Sequence, residues 1–260
     1  MENKETESRW FRQYAPPPAQ EQDQELHGVR LVCFPHAGGA ASAYLPLSRT
    51  LSPAFEVLAV QYPGRQERRR ETPAETLTAL ADAVARELAA EGGGRPYAFF
   101  GHSMGAVIAY ETARRLDRLG APAPVHLFLS GRGAPGPVPR RSDQLHGDAA
   151  LIAEIRRLGG TGGRVLDEPE LLEMVLPALR ADYRALASYS WVPGLPLDVP
   201  VTVLVGDEDP VVPAADAADW LGHTTAPGEF HTFRGGHFYL DAHTQEVAGL
   251  IAATLNGVRV

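Results

Sequence analysis

Residues 97–119 constrain the fold more than any other part of the chain, because they join a strand pattern to a helix pattern through the pentapeptide GHSMG. Tyr97–Phe100 is a short apolar run, and Ala106–Leu119 carries small residues in its first helical turns. A G-x-S-x-G pentapeptide between a strand and a helix predicts a sharp turn that exposes its serine, here Ser103. The glycines at 101 and 105 leave room for this crowded turn.

Strand patterns and helix patterns alternate on both sides of this segment. The clearest helix is predicted over Ala74–Glu91, where Leu77, Leu80, Val84 and Leu88 fall on one stripe at helical spacing. Further short apolar runs predict strands at Val29–Phe34, Val57–Val60, Val125–Leu129, Val199–Val205 and Glu229–Phe233. This alternation predicts an α/β fold with a mostly parallel sheet flanked by helices.

Two stretches fall outside the alternation. Residues 131–198 contain no strand pattern but two helix patterns, the first with Asp148 as its predicted N-cap and the second kinked at Pro177. We expect them to form a helical lid inserted between core strands of a domain over 28–260, because long insertions of this kind are usually functional. Residues 1–27 are polar and aperiodic, which predicts a flexible N-terminal leader.

Composition excludes several classes of chemistry. The one cysteine, Cys33, rules out an internal disulfide and a multi-cysteine zinc site. The one lysine, Lys4, leaves no internal lysine for a Walker phosphate loop or a Schiff base. The net charge of −8 argues against a nucleic-acid partner. Because there is no signal-peptide pattern and no apolar run near 18 residues, we expect a cytoplasmic protein without a membrane partner.

The serine of the pentapeptide needs a base to act as a nucleophile, and that base needs an orienting acid. After a turn of this type the chain order is serine, acid, histidine. His237 follows the last predicted strand in a glycine-rich loop and is the predicted base. Asp209 lies in the turn after the preceding strand and is the predicted acid, with Asp207 as the alternative. The predicted catalytic residues are therefore Ser103, Asp209 and His237.

Two backbone amides are candidates for stabilising an oxyanion. Met104 N–H lies at the N-terminus of the helix that follows the serine. The second donor should come from the loop after the first core strand, where the small residues at 37–40 allow close approach, and we assign it to Ala37 N–H. His36 in the same loop either contacts substrate or braces the loop.

Six segments together resemble the type II thioesterases of polyketide and nonribosomal peptide biosynthesis, which are stand-alone α/β-hydrolases. These segments are Phe34–Gly39, Gln61–Arg65, Gly101–Gly105, Leu176–Tyr183, Gly206–Pro213 and Gly235–Leu240. The resemblance covers roughly residues 28–255 and implies an α/β-hydrolase fold. It also implies the roles given above for Ser103, Asp209, His237, Ala37 and Met104.

The resemblance further implies hydrolysis of acyl thioesters carried on the phosphopantetheine arm of acyl or peptidyl carrier proteins. No metal or bound cofactor is expected, since the substrate itself carries the phosphopantetheine, and a monomer is the default expectation. Three alternatives stay open: a hydrolase of small esters or lactones, an acyltransferase with the same triad, and a non-catalytic carrier-binding module.

Substrate and carrier contacts are harder to assign from the sequence. The candidates for lining the acyl site are Leu172, Val175, Leu176, Leu179 and Phe238, although the four aliphatic residues fit packing between the two inserted helices equally well. A basic patch for an acidic carrier could form from arginines of two groups, although a solvated charge run is the more common reason for such arginines. These are Arg65, Arg68, Arg69 and Arg70, and Arg132, Arg140 and Arg141.

Overall fold

A computed structural model describes residues 8–15, 28–91, 95–159 and 168–258. Its seven strands form one sheet in the order β1-β3-β2-β4-β5-β6-β7. The strands are β1 Phe11–Gln13, β2 Arg30–Phe34, β3 Val57–Val60, β4 Tyr97–His102, β5 Leu127–Ser130, β6 Val201–Gly206 and β7 Gly228–Phe233. β1 pairs antiparallel with β3, and every other pairing is parallel.

Helices cover both faces of the sheet. In the described ranges they are α1 Leu45–Leu51, α2 Leu77–Ala90, α3 Met104–Leu119, α4 Asp148–Leu158, α5 Pro169–Ser188, α6 Ala214–Ala218, α7 Tyr239–Ala242 and α8 Thr244–Asn256. Successive strand residues point to opposite faces, so Val32 and Phe34 join the apolar cluster under α2 and α3. Leu31 and Cys33 join the other cluster, under α1 and α8. The predicted α/β-hydrolase fold class is confirmed.

The prediction of a flexible leader over residues 1–27 is wrong for residues 8–15. Phe11 pairs with Val60 as β1 adds to the edge of the sheet, and its side chain is buried. The Trp10 ring lies 4.5 Å from the Arg68 guanidinium carbon. A three-residue strand has too little periodicity to be read from sequence, and long-range contacts hold it in place. The rest of the predicted leader, residues 1–7 and 16–27, lies outside the described part of the chain.

Between β5 and β6 the chain forms α4 and α5, as the break in the alternation predicts. Asp148 is the first residue of α4, whose N-cap is Gly147, and it provides no capping hydrogen bond. The Asp148 carboxylate instead accepts from the Arg180 guanidinium on α5, with Arg180 Nε at 2.7 Å. The predicted N-cap is therefore wrong by one residue: Asp148 lies inside the helix, and its carboxylate forms an ion pair with α5. No helix in the described ranges is long and apolar enough to cross a membrane.

Candidate active site

The turn between β4 and α3 holds Ser103 in a rare backbone conformation, with φ 55° and ψ −120°. Such left-handed geometry is strained for a residue with a side chain and is concentrated at functional sites. A Cβ on Gly105 would lie 1.9 Å from the Phe34 carbonyl oxygen, and one on Gly101 would lie 2.3 Å from the Gly105 carbonyl oxygen. The turn therefore needs glycine at both positions.

Asp209 and His237 form a buried pair at the carboxyl ends of the parallel strands. His237 Nδ1 lies 2.8 Å from Asp209 Oδ2, and both side chains are almost fully excluded from solvent. Asp209 Oδ1 accepts from the backbone amides of Val211 and Val212 at 2.9 and 3.2 Å. These two amides leave Oδ2 facing the imidazole. A proton on Nδ1 then makes Nε2 the basic nitrogen.

Asp207, the alternative acid, faces elsewhere. Its Oδ1 accepts the Gly235 N–H at 2.8 Å and so holds the glycine-rich loop that carries His237. The structure therefore pairs Asp209 with His237 and gives Asp207 a loop-bracing contact.

Ser103, His237 and Ala37 line one small cavity of about 30 Å³. Three segments distant in sequence thus meet at one edge of the sheet. Tyr183 and Leu186 of α5 form part of the same wall, so the insertion between β5 and β6 helps to enclose the site.

The loop after β2 makes a tight turn at this cavity. Gly39 N–H donates to the His36 carbonyl at 3.0 Å, and Gly38 N–H donates to Asp182 Oδ2 at 2.8 Å. Ala37 N–H donates to no group within the described part of the chain. Met104 is the first residue of α3, where amides lack an intrahelical acceptor, and its side chain is fully buried.

A second cavity of about 1020 Å³ shares part of its wall with the small one. The shared wall includes Arg132 and Asp143, whose buried ion pair has Arg132 Nη1 2.8 Å from Asp143 Oδ1. Many of the other lining groups are polar or charged, so this space is not a purely apolar tunnel. Among them are Glu154, Arg157, Tyr189, Trp191, Asp216 and His223.

Two further histidines lie beside the candidate base. Burial, with the neighbouring positive groups, lowers the pKa of His36 to about 4 and that of His102 well below its ordinary value. His102 Nδ1 is 2.8 Å from Ser130 Oγ, and its ring centroid is 5.1 Å from that of His237. Both rings are therefore uncharged near neutral pH. The sequence pattern did not predict that His102, which lies within the pentapeptide, contacts the His237 ring.

The predicted acyl contacts on α5 lie away from both cavities. Leu179 is buried against Gly38, and Leu176 packs against the apolar cluster under α2 and α3. Leu172 and Val175 are partly exposed, and none of the four lines either cavity. The later turns of α5 line them instead: Leu186 lines both cavities, and Tyr183 lines the small one.

Phe238 and His36, the other two predicted substrate contacts, pack against each other with ring centroids 4.9 Å apart. Phe238 also lies 5.2 Å from the His237 ring. Neither Phe238 nor His36 lines the two cavities. The contacts of His36 fit the bracing alternative for this residue.

The prediction of an exposed basic patch is wrong for three of the seven arginines in the two groups. Arg65, Arg68 and Arg132 are buried and paired with carboxylates of this chain, namely Asp182, Glu71 and Asp143. Arg140, of the second group, is partly buried and pairs with Asp216. Exposed members of the two groups are Arg69, Arg70 and Arg141. The partners of Arg65 and Arg140 lie far along the chain, so a local run of arginines does not reveal them.

Comparisons with known proteins identify the family of this chain. The thioesterase domain family matches residues 29–255. The probable cadicidin biosynthesis thioesterase of Streptomyces griseus is 44% identical over 254 residues, which cover 97% of this chain and 67% of that protein. Thioesterase PikA5 of Streptomyces venezuelae is 44% identical over 243 residues, covering 94% and 84%.

Among solved structures, the type II thioesterase BorB from the borrelidin biosynthetic cluster matches with a TM-score of 0.84. It is 43% identical, and the match covers 95% of this chain and 97% of that one. The family resemblance predicted from the six segments is confirmed. This chain belongs to the thioesterase family, within which it is a type II thioesterase, a thioester hydrolase.

Proposed function

We propose that the protein releases acyl groups from the phosphopantetheine arm of acyl or peptidyl carrier proteins, through an acyl-enzyme on Ser103. The observation that carries this proposal is that His237, paired with the buried Asp209, lines the same cavity as Ser103. The names of relatives from cadicidin and borrelidin biosynthesis support the biosynthetic setting. In such pathways acyl intermediates travel as carrier-bound thioesters.

In the first half-reaction His237 Nε2 takes the proton of Ser103 as its oxygen attacks the thioester carbonyl. The amides of Ala37 and Met104 stabilise the oxyanion, and Asp209 stabilises the imidazolium. Collapse of the tetrahedral species breaks the C–S bond, and the carrier thiolate leaves with the proton from His237. The acyl group is then esterified to Ser103.

In the second half-reaction water replaces the thiol. His237 takes a proton from the water, hydroxide adds to the acyl carbonyl, and Ser103 leaves with that proton. The products are a free carboxylic acid and the regenerated serine. Neither step requires a metal ion or a bound cofactor, since the phosphopantetheine belongs to the substrate.

The experiment compares three substrates with the same acyl group: a carrier-bound thioester, an acyl-pantetheine thioester and an aryl ester. We expect the carrier-bound thioester to have the highest kcat/KM and the free acid to be the product. Turnover of the carrier thioester no faster than the aryl ester would favour a small-ester hydrolase. An ester or amide product detected by mass would favour an acyltransferase.

Variants test the assigned roles. Ser103→Ala should abolish turnover and labelling by a serine-directed phosphonate, and unlabelled wild-type protein would favour a non-catalytic carrier-binding module.

Asp209→Asn should lower kcat by about 10⁴-fold, as loss of the orienting acid does in other triads. Asp207→Asn is the matched control, because the Asp207 carboxylate accepts from the Gly235 amide whereas His237 pairs with Asp209. We expect it to retain at least about a tenth of wild-type kcat, and equal losses in both variants would contradict the assignment.

A further inference from the structure

The motif segments around Gln61 and around Leu176 have no part in the chemistry proposed above, yet they meet over the loop of residues 36–39. Arg65 and Asp182, one from each segment, form a two-pronged ion pair that is almost fully buried. Arg65 Nη1 lies 2.9 Å from Asp182 Oδ2, and Arg65 Nη2 lies 2.8 Å from Asp182 Oδ1. A buried pair of this kind is weak evidence for stability, because desolvation offsets much of its attraction.

Both members of the pair also hold the loop. Asp182 Oδ2 accepts from Gly38 N–H at 2.8 Å, and Arg65 Nη1 donates to the Gly39 carbonyl at 3.0 Å. These contacts fall on the two residues that directly follow Ala37, the candidate oxyanion donor. The pair therefore fixes the peptide planes next to that donor.

Packing leaves the loop little freedom to move. Gly38 has a φ of +73°, and a Cβ there would lie 2.8 Å from Leu179 Cδ1 on α5. Leu179 and Asp182 lie one turn apart on the same helix face, which continues to Tyr183 in the wall of the cavity. The face of α5 that holds the loop thus also encloses the candidate active site.

The neighbours of Arg65 support the loop as well. Gln61 Oε1 accepts from Ala41 N–H at 2.8 Å, and Tyr62 Oη lies 3.4 Å from the Pro35 carbonyl oxygen. The Arg65 guanidinium carbon lies 5.0 Å from the centroid of the Tyr62 ring. The segment after β3 thus contacts the residues that flank this loop on both sides.

We propose that Arg65 and Asp182 are positioning residues that hold Ala37 N–H in the geometry needed to stabilise the oxyanion. This inference rests on the proposed serine mechanism and extends it. An oxyanion donor acts in the transition state, so its misplacement lowers kcat and leaves substrate binding nearly unchanged. A misplacement of about 1 Å can cost roughly a hundredfold in rate.

The test uses a small acyl thioester, so that carrier docking plays no part. Asp182→Asn should lower kcat by about 10- to 100-fold while KM stays within about threefold. Arg65→Lys keeps the charge but loses the fork, and we expect an intermediate loss. The matched control is Asp148→Asn, which breaks a two-pronged pair between α4 and Arg180 of α5 without touching the loop. It should retain wild-type kcat.

A binding measurement separates positioning from a purely structural role. The serine oxygen adds to the carbonyl of a trifluoromethyl ketone analogue of the thioester, and this places an oxyanion in the site. The matching thioether has CH₂ in place of that carbonyl and forms no oxyanion. Asp182→Asn should weaken inhibition by the ketone by the same factor as kcat/KM. Its affinity for the thioether should change less than threefold.

Asp182→Asn leaves Arg65 buried without its counter-charge, so this variant could fail to fold. The double variant Arg65→Met with Asp182→Leu removes both charges and keeps apolar volume, which is tolerated far better. We expect it to be folded by circular dichroism and to have low kcat and weak ketone binding. Wild-type kcat and ketone affinity in that folded double variant would overturn the inference.

The results that would overturn the proposed function differ from those that would overturn this inference alone. Wild-type protein that neither hydrolyses the thioester nor binds the ketone would overturn the serine mechanism and this inference with it. An active wild type whose folded Asp182→Asn variant is unchanged in kcat and ketone affinity overturns the inference alone.

Discussion

At the scale of single residues, buried histidines make the stability of this protein depend on pH. His126, the residue directly before β5, is buried. Its Nε2 lies 2.8 Å from Thr202 Oγ1, and its ring centroid lies 4.5 Å from that of Phe128. Burial lowers its pKa to about 4. Between about pH 6.5 and pH 4 the unfolded chain therefore binds a proton at this residue that the folded protein does not.

The sign follows from that difference in protons bound. The free energy of unfolding falls as pH falls through this window, by up to about 1.4 kcal/mol per pH unit for one histidine. We expect His126→Gln to flatten the dependence, measured by urea denaturation from pH 7 to pH 4.5. His146→Gln, at an exposed position, is the control and should keep the wild-type slope. An unchanged slope in His126→Gln would contradict the prediction.

The acid of the triad shows where residue-level prediction stops. The spacing and the turn favour Asp209 but leave Asp207 open, since both carboxylates follow β6 within three residues. The distinction comes from the amides of Val211 and Val212, which hold one oxygen of Asp209 and turn the other toward His237. Backbone amide directions in a turn depend on φ and ψ, which a residue pattern does not specify.

At the scale of elements, the close approach of α3 to β2 makes Gly105 sensitive to substitution. Its missing Cβ would lie 1.9 Å from the Phe34 carbonyl oxygen, which is backbone and cannot rotate away. We expect Gly105→Ala to destabilise the protein by at least about 3 kcal/mol or to prevent folding, since overpacking that moves backbone is costly. Thermal unfolding of the purified variant measures the effect.

Gly249→Ala is the matched control in α8, where a Cβ would meet nothing within 4 Å. That substitution should stabilise the protein by about 0.5–1 kcal/mol, because alanine loses less backbone entropy than glycine in a helix. Similar losses of stability in the two variants would argue against the close approach of α3 to β2.

The elements themselves were largely predictable. Strands such as β3, predicted and found at Val57–Val60, are continuous apolar runs because both faces of a parallel sheet are covered. The orientation of α5 was not predictable in the same way. Its apolar positions were visible, but which of them enclose the cavity depends on how the insertion docks, and Tyr183 and Leu186 do so rather than Leu172 and Val175.

At the scale of the whole molecule, ion pairs join segments that are far apart along the chain. Arg65 pairs with Asp182 across 117 positions, and Arg95 pairs with Glu56 across 39. A local reading of an arginine-rich stretch predicts an exposed basic surface. The fold instead buries Arg65 against Asp182 of α5, and it buries Arg68 beside the Trp10 ring of the N-terminal segment. Neither distant contact is revealed by the local pattern.

The N-terminal strand belongs to the same structural unit as the rest of the sheet, and this can be tested. Phe11 is 7% exposed and pairs with Val60, and the Trp10 carbonyl accepts from Gln61 N–H at 2.7 Å. Phe11→Ala removes a buried ring from the apolar cluster under α2 and α3. We expect a loss of about 3 kcal/mol, at the lower end for such truncations because β1 is an edge strand.

Arg9→Ala is the matched control two residues away. Arg9 is 73% exposed and pairs with Glu71 at the surface, where ion pairs contribute about 0–1 kcal/mol. Urea denaturation followed by tryptophan fluorescence and by circular dichroism should give one coincident transition for each protein, shifted only in Phe11→Ala. An early separate transition, or no shift in Phe11→Ala, would mean that β1 folds independently of the sheet or contributes nothing to its stability.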